Sequence, residues 1–445
     1  MKDGTKQIPV PGVPARATQG TEAHERDWSW VEASVWTERM LSALGNGVKG
    51  GKWFSLMDKV VRPTTLQAAW RKVEANGGAA GVDRQSIARF AAKSEQYLQE
   101  LGQGLAAGSY RPQAVRRVEI PKGDGGRRAL GIPTVKDRIV QTALKLVLEP
   151  IFEAQFRPGS YGFRRGRGCK HALREVDGLL KDGYTFVVDA DLQSYFDSIP
   201  RERLLRRVEE RISDGAVLEL IANFLQQDIM HDGRRWTPTG GTPQGAVISP
   251  LLANVYLHPL DVLMEDGGYR MVRYADDFVI LCRSAEAAAL ALEQVRAWVV
   301  ANGLKLHPEK THVGDCRAPG EGFDFLGYRF EAGRRYVRSK SLQRFKARIR
   351  ECTRRTRGVS LAVVVDQLNP LLKGWFAYFQ HAHEHTFSAL DAQIRRRLRA
   401  LLLRHHKRRG FGRCRADHQR WPNAFFAEAG LFAMHPAWQI ARQSR

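Results

Sequence analysis

Apolar residues recur at helical spacing from Trp28 onward, at Trp30, Val31, Val35, Trp36, Met40, Leu41 and Leu44, and predict a helix that ends where Gly45-Asn46-Gly47 breaks the pattern. A second helical stretch runs from Thr64 to Val73 and stops at Asn76-Gly77-Gly78. The period then changes to two. Val115 to Pro121 alternates like a strand, Lys122 to Gly126 supplies a turn, and Arg127 to Pro133 returns as its partner. The resulting hairpin carries Arg116, Lys122 and Arg128, which suits either an exposed edge kept soluble by charge or a phosphate-binding arm. From Phe186, alternation puts Asp189 and Asp191 on one face of a strand and Phe186 and Val188 on the other. Asp197 or Ser198 is placed to cap a helix beginning near Ile199-Pro200. Met271 to Tyr274 and Phe278 to Leu281 are short apolar runs that read as a hairpin about Asp276-Asp277. Residues 1–25, rich in Pro, Gly and Thr, are expected to be disordered.

Two of these elements carry chemistry. The Asp276-Asp277 turn lacks the Asn-Gly or Asp-Gly of an ordinary hairpin tip, so two like charges sit there at an electrostatic cost. A solvated turn is one reading; a divalent cation such as Mg²⁺, held by one or two carboxylates plus substrate phosphate, is the other. Gly240 to Leu257 is a glycine-rich loop leading into a helix, with Ser249 at the N-cap and Pro250 in the first helical position. Its glycines allow close approach to a flat ligand, and Gln244 offers a neutral hydrogen-bonding tip.

Charge changes the picture further. Seventy Lys and Arg against 47 Asp and Glu give a net charge of +23, too lopsided for an ordinary metabolic enzyme and suited to a phosphate backbone as partner. The excess is concentrated in residues 331–415, with 22 Lys or Arg and five Asp or Glu. There Arg344, Lys346, Arg348 and Arg350, then Arg395, Arg396, Arg397 and Arg399, alternate with large apolar residues, so the region can fold and still present a basic surface. No apolar stretch is long and charge-free enough to span a bilayer, and no signal-peptide core follows Met1; a cytosolic protein is expected. Five scattered cysteines without a Cys-x-x-Cys pair argue against both disulfides and a zinc ribbon. His381, His383 and His385 could ligate zinc, but after the apolar run Trp375 to Phe379 they also read as a helix end at the surface.

The basic hairpin, the Phe186–Asp197 strand, the Gly240–Leu257 loop and the Asp276-Asp277 turn, in this order, resemble the reverse transcriptases encoded by mobile group II introns. The resemblance extends from Trp28 to the C-terminus: Asn76 to Asp83 is similar to an extra N-terminal block, Ile120 to Thr134 to the fingers, and Ser160 to Arg167 to the insertion that follows. Gly303 to Thr311 and Phe323 to Arg329 are similar to the last blocks of the palm, and Leu368 to Phe379 to the thumb, or maturase, domain.

The resemblance implies an α+β right-hand polymerase, with fingers and an antiparallel palm over 26–330, a basic helical thumb over 331–415, and a short, possibly DNA-binding segment over 416–445. It implies two Mg²⁺ ions held by Asp191 and Asp276, aided by Asp277 and the Leu192 carbonyl, and leaves Asp189 a supporting or salt-bridge role. Arg116, Lys122 and Arg128 would clamp the triphosphate, Gln244 would contact nucleotide and template, and Lys310 would give a proton to pyrophosphate. Phe196 would lie against the sugar, where a large ring leaves no room for a 2′-hydroxyl and favours DNA synthesis. Intron RNA, a DNA primer or target, and dNTPs are the implied partners, with splicing as a maturase beside polymerisation. The longest family members end in an HNH-type endonuclease whose His and Cys pairs are not found here, so second-strand cleavage is not expected. A domesticated or defence-associated reverse transcriptase, of the retron or CRISPR-linked kind, is the alternative.

Overall fold

The computed structural model describes residues 28–443 except 49, 122–125, 239 and 243, so the N-terminal tail and Lys122 lie outside the described residues. Strands are numbered in chain order: β1 Val115–Pro121, β2 Arg127–Ile132, β3 Phe186–Asp191, β4 Ile229–His231, β5 Arg234–Trp236, β6 Arg270–Tyr274, β7 Asp277–Cys282, β8 His312–Asp315, β9 Phe323–Phe325, β10 Tyr328–Glu331 and β11 Arg334–Val337.

The palm is the sheet β6-β7-β3-β8, antiparallel throughout. Its strands are apolar on both faces because each face closes a core. Val188, Ala190, Phe278 and Ile280 join one core with the helices Val135–Glu153, Ser249–Asp266 and Ala285–Ala301. Val187, Val272, Val279 and Leu281 join a second core built from the helix Cys169–Lys181, the sheet β11-β10-β9 and the C-terminal helices.

The fingers carry the expected β1–β2 hairpin, extended by β4, which runs parallel to β1 through Val115 and Arg116, and by β5. The Thr64–Val73 expectation corresponds to the helix Pro63–Asn76. The first helix is shorter than expected, covering only Glu38–Asn46 with Thr37 as its N-cap. Residues 28–36 form turns, because Trp36 is buried and donates its indole N–H to the Leu146 carbonyl at 3.0 Å. Tertiary packing overrides local helical periodicity there.

The thumb helices are Ser339–Cys352, Leu361–Phe379 and His385–His405. Phe345 stacks on Trp375 with centroids 4.1 Å apart, and Trp375 packs on Phe379. Two features differ from the sequence-based division. A boundary at 330/331 falls inside the β10–β11 pairing of Phe330 with Arg335 and Glu331 with Arg334. Residues 416–443 do not stand apart: Trp421, Phe426 and Met434 are buried in the thumb core.

Candidate active site

Everything at this site hangs on the β6–β7 turn. Tyr274 pairs with Asp277, leaving Ala275 and Asp276 as the two turn residues, and Ala275 adopts φ +61°, a left-handed conformation costly for a residue with a side chain. Gly162 is pressed against it, since a Cβ at Gly162 would collide with the Ala275 nitrogen. The turn is held by Arg273, 0% exposed. Its Nε and Nη2 donate to the two oxygens of Asp261 at 2.7 and 2.5 Å, Nη2 also to Ser160 Oγ at 2.8 Å, and Nη1 to Asn254 Oδ1 and the Ala275 carbonyl at 2.9 Å each. Burial works against the charge of Arg273, but the Asp261 carboxylate more than offsets it and holds the pKa above the usual arginine value.

Register sets Asp191 opposite Asp277, and Asp189 one pleat back on the same face, as alternation requires. These carboxylates repel one another. Burial, then Asp189, Asp276 and Asp191, push Asp277 up to about 7. Burial, then Asp324, push Asp189 up to about 7. Asp276 is raised by burial and by Asp191, and eased by Arg128 and Arg273. Lys310 Nζ donates to Asp191 Oδ2 at 2.6 Å. Among the described residues no group of three or more His, Cys, Asp or Glu side chains can by itself hold a metal ion. Polymerase-type Mg²⁺ sites need only one or two carboxylates together with substrate phosphates, and a crowded set of carboxylates countered only by Lys310 and nearby arginines fits that requirement.

A pH effect follows. A carboxyl whose pKa rises on folding keeps its proton more tightly in the folded chain, so its stability contribution is full below about pH 4 and is lost as pH rises toward about 7. Without divalent cations, Asp277→Asn is expected to raise the melting temperature more at about pH 8 than at about pH 5. Thermal scans in a chelating buffer check this, and a gain independent of pH would contradict it.

Phe196 lies in the short helix Tyr195–Ser198, half-buried, with Phe163 edge-on at 6.3 Å and Tyr195 at 5.5 Å. The glycine-rich loop docks on it: Thr242 N–H donates to the Phe196 carbonyl at 2.7 Å. Gly241, at φ +79°, comes so close that a Cβ would lie 2.8 Å from Asp197 Cα. Gln244 donates to Asp197 Oδ2 at 3.2 Å, while its carbonyl accepts from Gly131 N–H of the hairpin at 2.7 Å. Loop, hairpin and Phe196 are thus one assembly. Leu192 is buried beside Leu306, in a bridge bonded through Asp191 and Gln193 rather than through its own carbonyl.

Several expectations need correction. Asp197 and Ser198 do not cap the next helix, whose N-cap is Pro200; Asp197 instead accepts from Gln244, and Ser198 donates to the Tyr195 carbonyl. Ser249 is the first residue inside its helix, with Ile248 at the cap. Arg116 spends Nε and Nη2 on the Ala80 carbonyl at 3.0 and 2.8 Å, bracing the hairpin against the Asn76–Asp83 block, whereas Arg128 is exposed and in electrostatic reach of Asp276. In the thumb, Arg344, Arg348 and Arg350 are exposed, and Lys346, Arg395 and Arg396 are half-buried. Arg399, 2% exposed, is an internal residue donating to the Trp421 carbonyl and Asn423. Arg397 is likewise turned inward, onto Thr353 Oγ1 at 2.5 Å. The histidines lie in the link between two thumb helices, His385 opening the second.

An antiparallel sheet with carboxylates at one end, a basic hairpin over them and a helical arm beside them defines a right-hand nucleic-acid polymerase. The reverse transcriptase (RNA-dependent DNA polymerase) family matches residues 120–330, and the group II intron, maturase-specific domain matches residues 342–421. The chain belongs to the family of group II intron-encoded reverse transcriptases and maturases. Protein YkfC of Escherichia coli (strain K12) is 34% identical over 62% of this chain and 82% of its own length. Group II intron-encoded protein LtrA of Lactococcus lactis subsp. cremoris is 35% identical over 45% of this chain, which spans only 34% of LtrA. A partial Cas6-RT-Cas1--Cas2 complex aligns over 58% of this chain and 43% of its own at 28% identity and a TM-score of 0.36. No helix among the described residues is long and apolar enough to cross a membrane.

Proposed function

We propose that the protein extends a DNA primer on an RNA template, copying intron RNA with dNTPs during retromobility, and binds that RNA as a splicing maturase. The observation that carries the reading is the register of Asp191 with Asp277 beside the Asp276 turn, next to Phe196 and the Gln244 loop. Asp191 and Asp276 would hold two Mg²⁺ ions, with Asp277 and the Leu192 carbonyl in support. When bound, Mg²⁺ increases the acidity of the primer 3′-hydroxyl and neutralises charge on the triphosphate and the departing pyrophosphate.

The chain's own residues do the rest. Arg128 provides the hairpin's cation near Asp276, and Arg116 keeps the hairpin in place. Lys122 joins Arg128 on the triphosphate in this reading. Gln244 ties the loop to the Phe196 helix, fixing the wall against which a base pair would rest. Lys310, ion-paired to Asp191, stands close to where pyrophosphate would leave. On the thumb, Phe411 is 70% exposed with the Arg355 guanidinium 5.4 Å over its ring, and Lys407, Arg408 and Arg409 are exposed around it. Stacking with phosphate contacts is how single-stranded RNA is gripped. Primer extension by purified protein on an RNA template with dNTPs and Mg²⁺ tests the polymerase; no product would end it.

Sugar selection is expected to rest on Phe196. Phe196→Ala should raise the use of rNTPs relative to dNTPs by on the order of tenfold to a hundredfold, because a steric block is removed rather than an attraction added. Competitive incorporation assays measure the ratio, and an unchanged ratio would make Phe196 a packing residue only.

A further inference from the structure

At the end of the palm opposite the carboxylates lies a cavity of about 600 Å³, between the helix Cys169–Lys181, the β10–β11 turn, the link between the second and third thumb helices, and the last helix Met434–Gln443. It opens at Thr185, just before β3 begins, so the six residue steps to Asp191 put it roughly 20 Å from the candidate active site. Its volume is that of a small-molecule site. Its floor is apolar, formed by Cys316, Phe330 and Ala382, all buried.

The walls add planar groups. Trp438 is fixed by donating its indole N–H to the Ala382 carbonyl at 3.2 Å, and the Arg442 guanidinium lies 5.2 Å over its ring. His381 and His383 stand on the side formed by the histidine run that the polymerase does not use. The rim is cationic in effect. Asp177 is committed to Arg335 at 2.6 Å, Glu331 to Arg329 at 3.1 Å, and Glu384 to His435 at 2.9 Å. Lys181, Arg334 and Arg442, exposed on the same rim, make no ion pair among the described residues.

We infer that this cavity binds a nucleotide unit, with its base on the apolar floor beside Trp438 and Arg442 and its phosphate at Lys181 and Arg334. An apolar floor, a guanidinium plane and cations without an ion pair meet the demands of an unstacked nucleotide, which needs a surface for its π-face and a countercharge for its phosphate. The nucleotide could come from a strand of RNA or free from solution. Only the first source rests on the RNA-binding reading given above.

The test uses the full chain and two probes: AMP in equilibrium dialysis, and a short single-stranded RNA containing thiouridine, photocrosslinked and mapped by peptide mass spectrometry. AMP binding, or crosslinks within residues 381–384 or at Trp438, supports the site. AMP binding without crosslinks assigns it to free nucleotide; crosslinks without AMP binding assign it to a strand. The double variant Lys181→Glu, Arg442→Glu, both exposed and outside the polymerase site, should weaken the observed signal by about tenfold, with the melting temperature and primer extension unchanged. Absence of both signals, or signals indifferent to the double reversal, overturns the proposal. Since primer extension is measured in parallel, that failure is distinct from a failure of the polymerase reading.

Discussion

Asp276→Ala is expected to abolish cDNA synthesis while making the metal-free protein more stable. Asp276 sits at the tip of a strained turn with its pKa raised by burial and by Asp191, so removing its carboxylate relieves repulsion. The same carboxylate is what a divalent ion needs, and the loss of transition-state stabilisation should be several kcal/mol, about a thousandfold or more in rate. Activity and stability then move in opposite directions, the trade-off expected of a functional group held against its own electrostatics. RNA binding by the thumb does not pass through this turn, so the variant should still bind intron RNA and assist splicing. Arg344→Glu with Arg350→Glu, both exposed, should do the reverse, lowering RNA affinity and flattening its salt dependence. Primer extension, filter binding across a salt series and splicing rate on both variants settle the matter. Wild-type extension by Asp276→Ala would remove the polymerase reading, and loss of splicing in the same variant would remove the independence of the thumb.

Arg273→Ala is expected to be the most damaging single substitution for the fold of the site. It leaves Asp261 buried and unpaired, and Asn254, Ser160 and the Ala275 carbonyl without their donor. Breaking such a buried pair costs about 3–5 kcal/mol. Arg273→Lys keeps the charge but not the planar fork that reaches these acceptors at once, so it should recover only part of the stability. Denaturant unfolding and primer extension on both variants check this. A loss below about 1 kcal/mol for Arg273→Ala would mean that water replaces the guanidinium.

Much of this was legible in the residues, for identifiable reasons. Strand alternation placed Asp189 and Asp191 on one face without any knowledge of neighbours, and the adjacent carboxylates at 276 and 277 marked a turn that simple chain reversal did not explain. The structural role of Arg273 has only one local sign, an arginine in the otherwise apolar run Met271–Tyr274, which points to burial against an acid. Its partner Asp261 lies in a helix twelve residues earlier, and no local pattern joins the two. Phe163, now seen against Phe196, was lost among the glycines and arginines of its segment. The arginines of 395–399 show the opposite failure. Charge counting treats all four alike, but Arg399 is buried on the side of its helix that meets Trp421 and Arg397 is bound to Thr353 on another side, so half of an apparent basic patch is tied up within the thumb.

The second core also decides how this enzyme can move. The sheet face that carries Asp191 and Asp277 at its end is the face on which Val187, Val279 and Leu281 meet Phe323, Tyr328, Phe345 and Phe379. Two tyrosine hydroxyls tie the same elements together, Tyr328 Oη donating to the Tyr378 carbonyl at 2.6 Å and Tyr378 Oη to the Leu326 carbonyl at 2.8 Å. Palm and thumb therefore share one interior rather than meeting across a cleft. A thumb that swung away during translocation would have to bring buried aromatic rings into water, so the jaw is fixed on this side. Cutting the chain between its two matched domains would accordingly yield two halves with exposed cores.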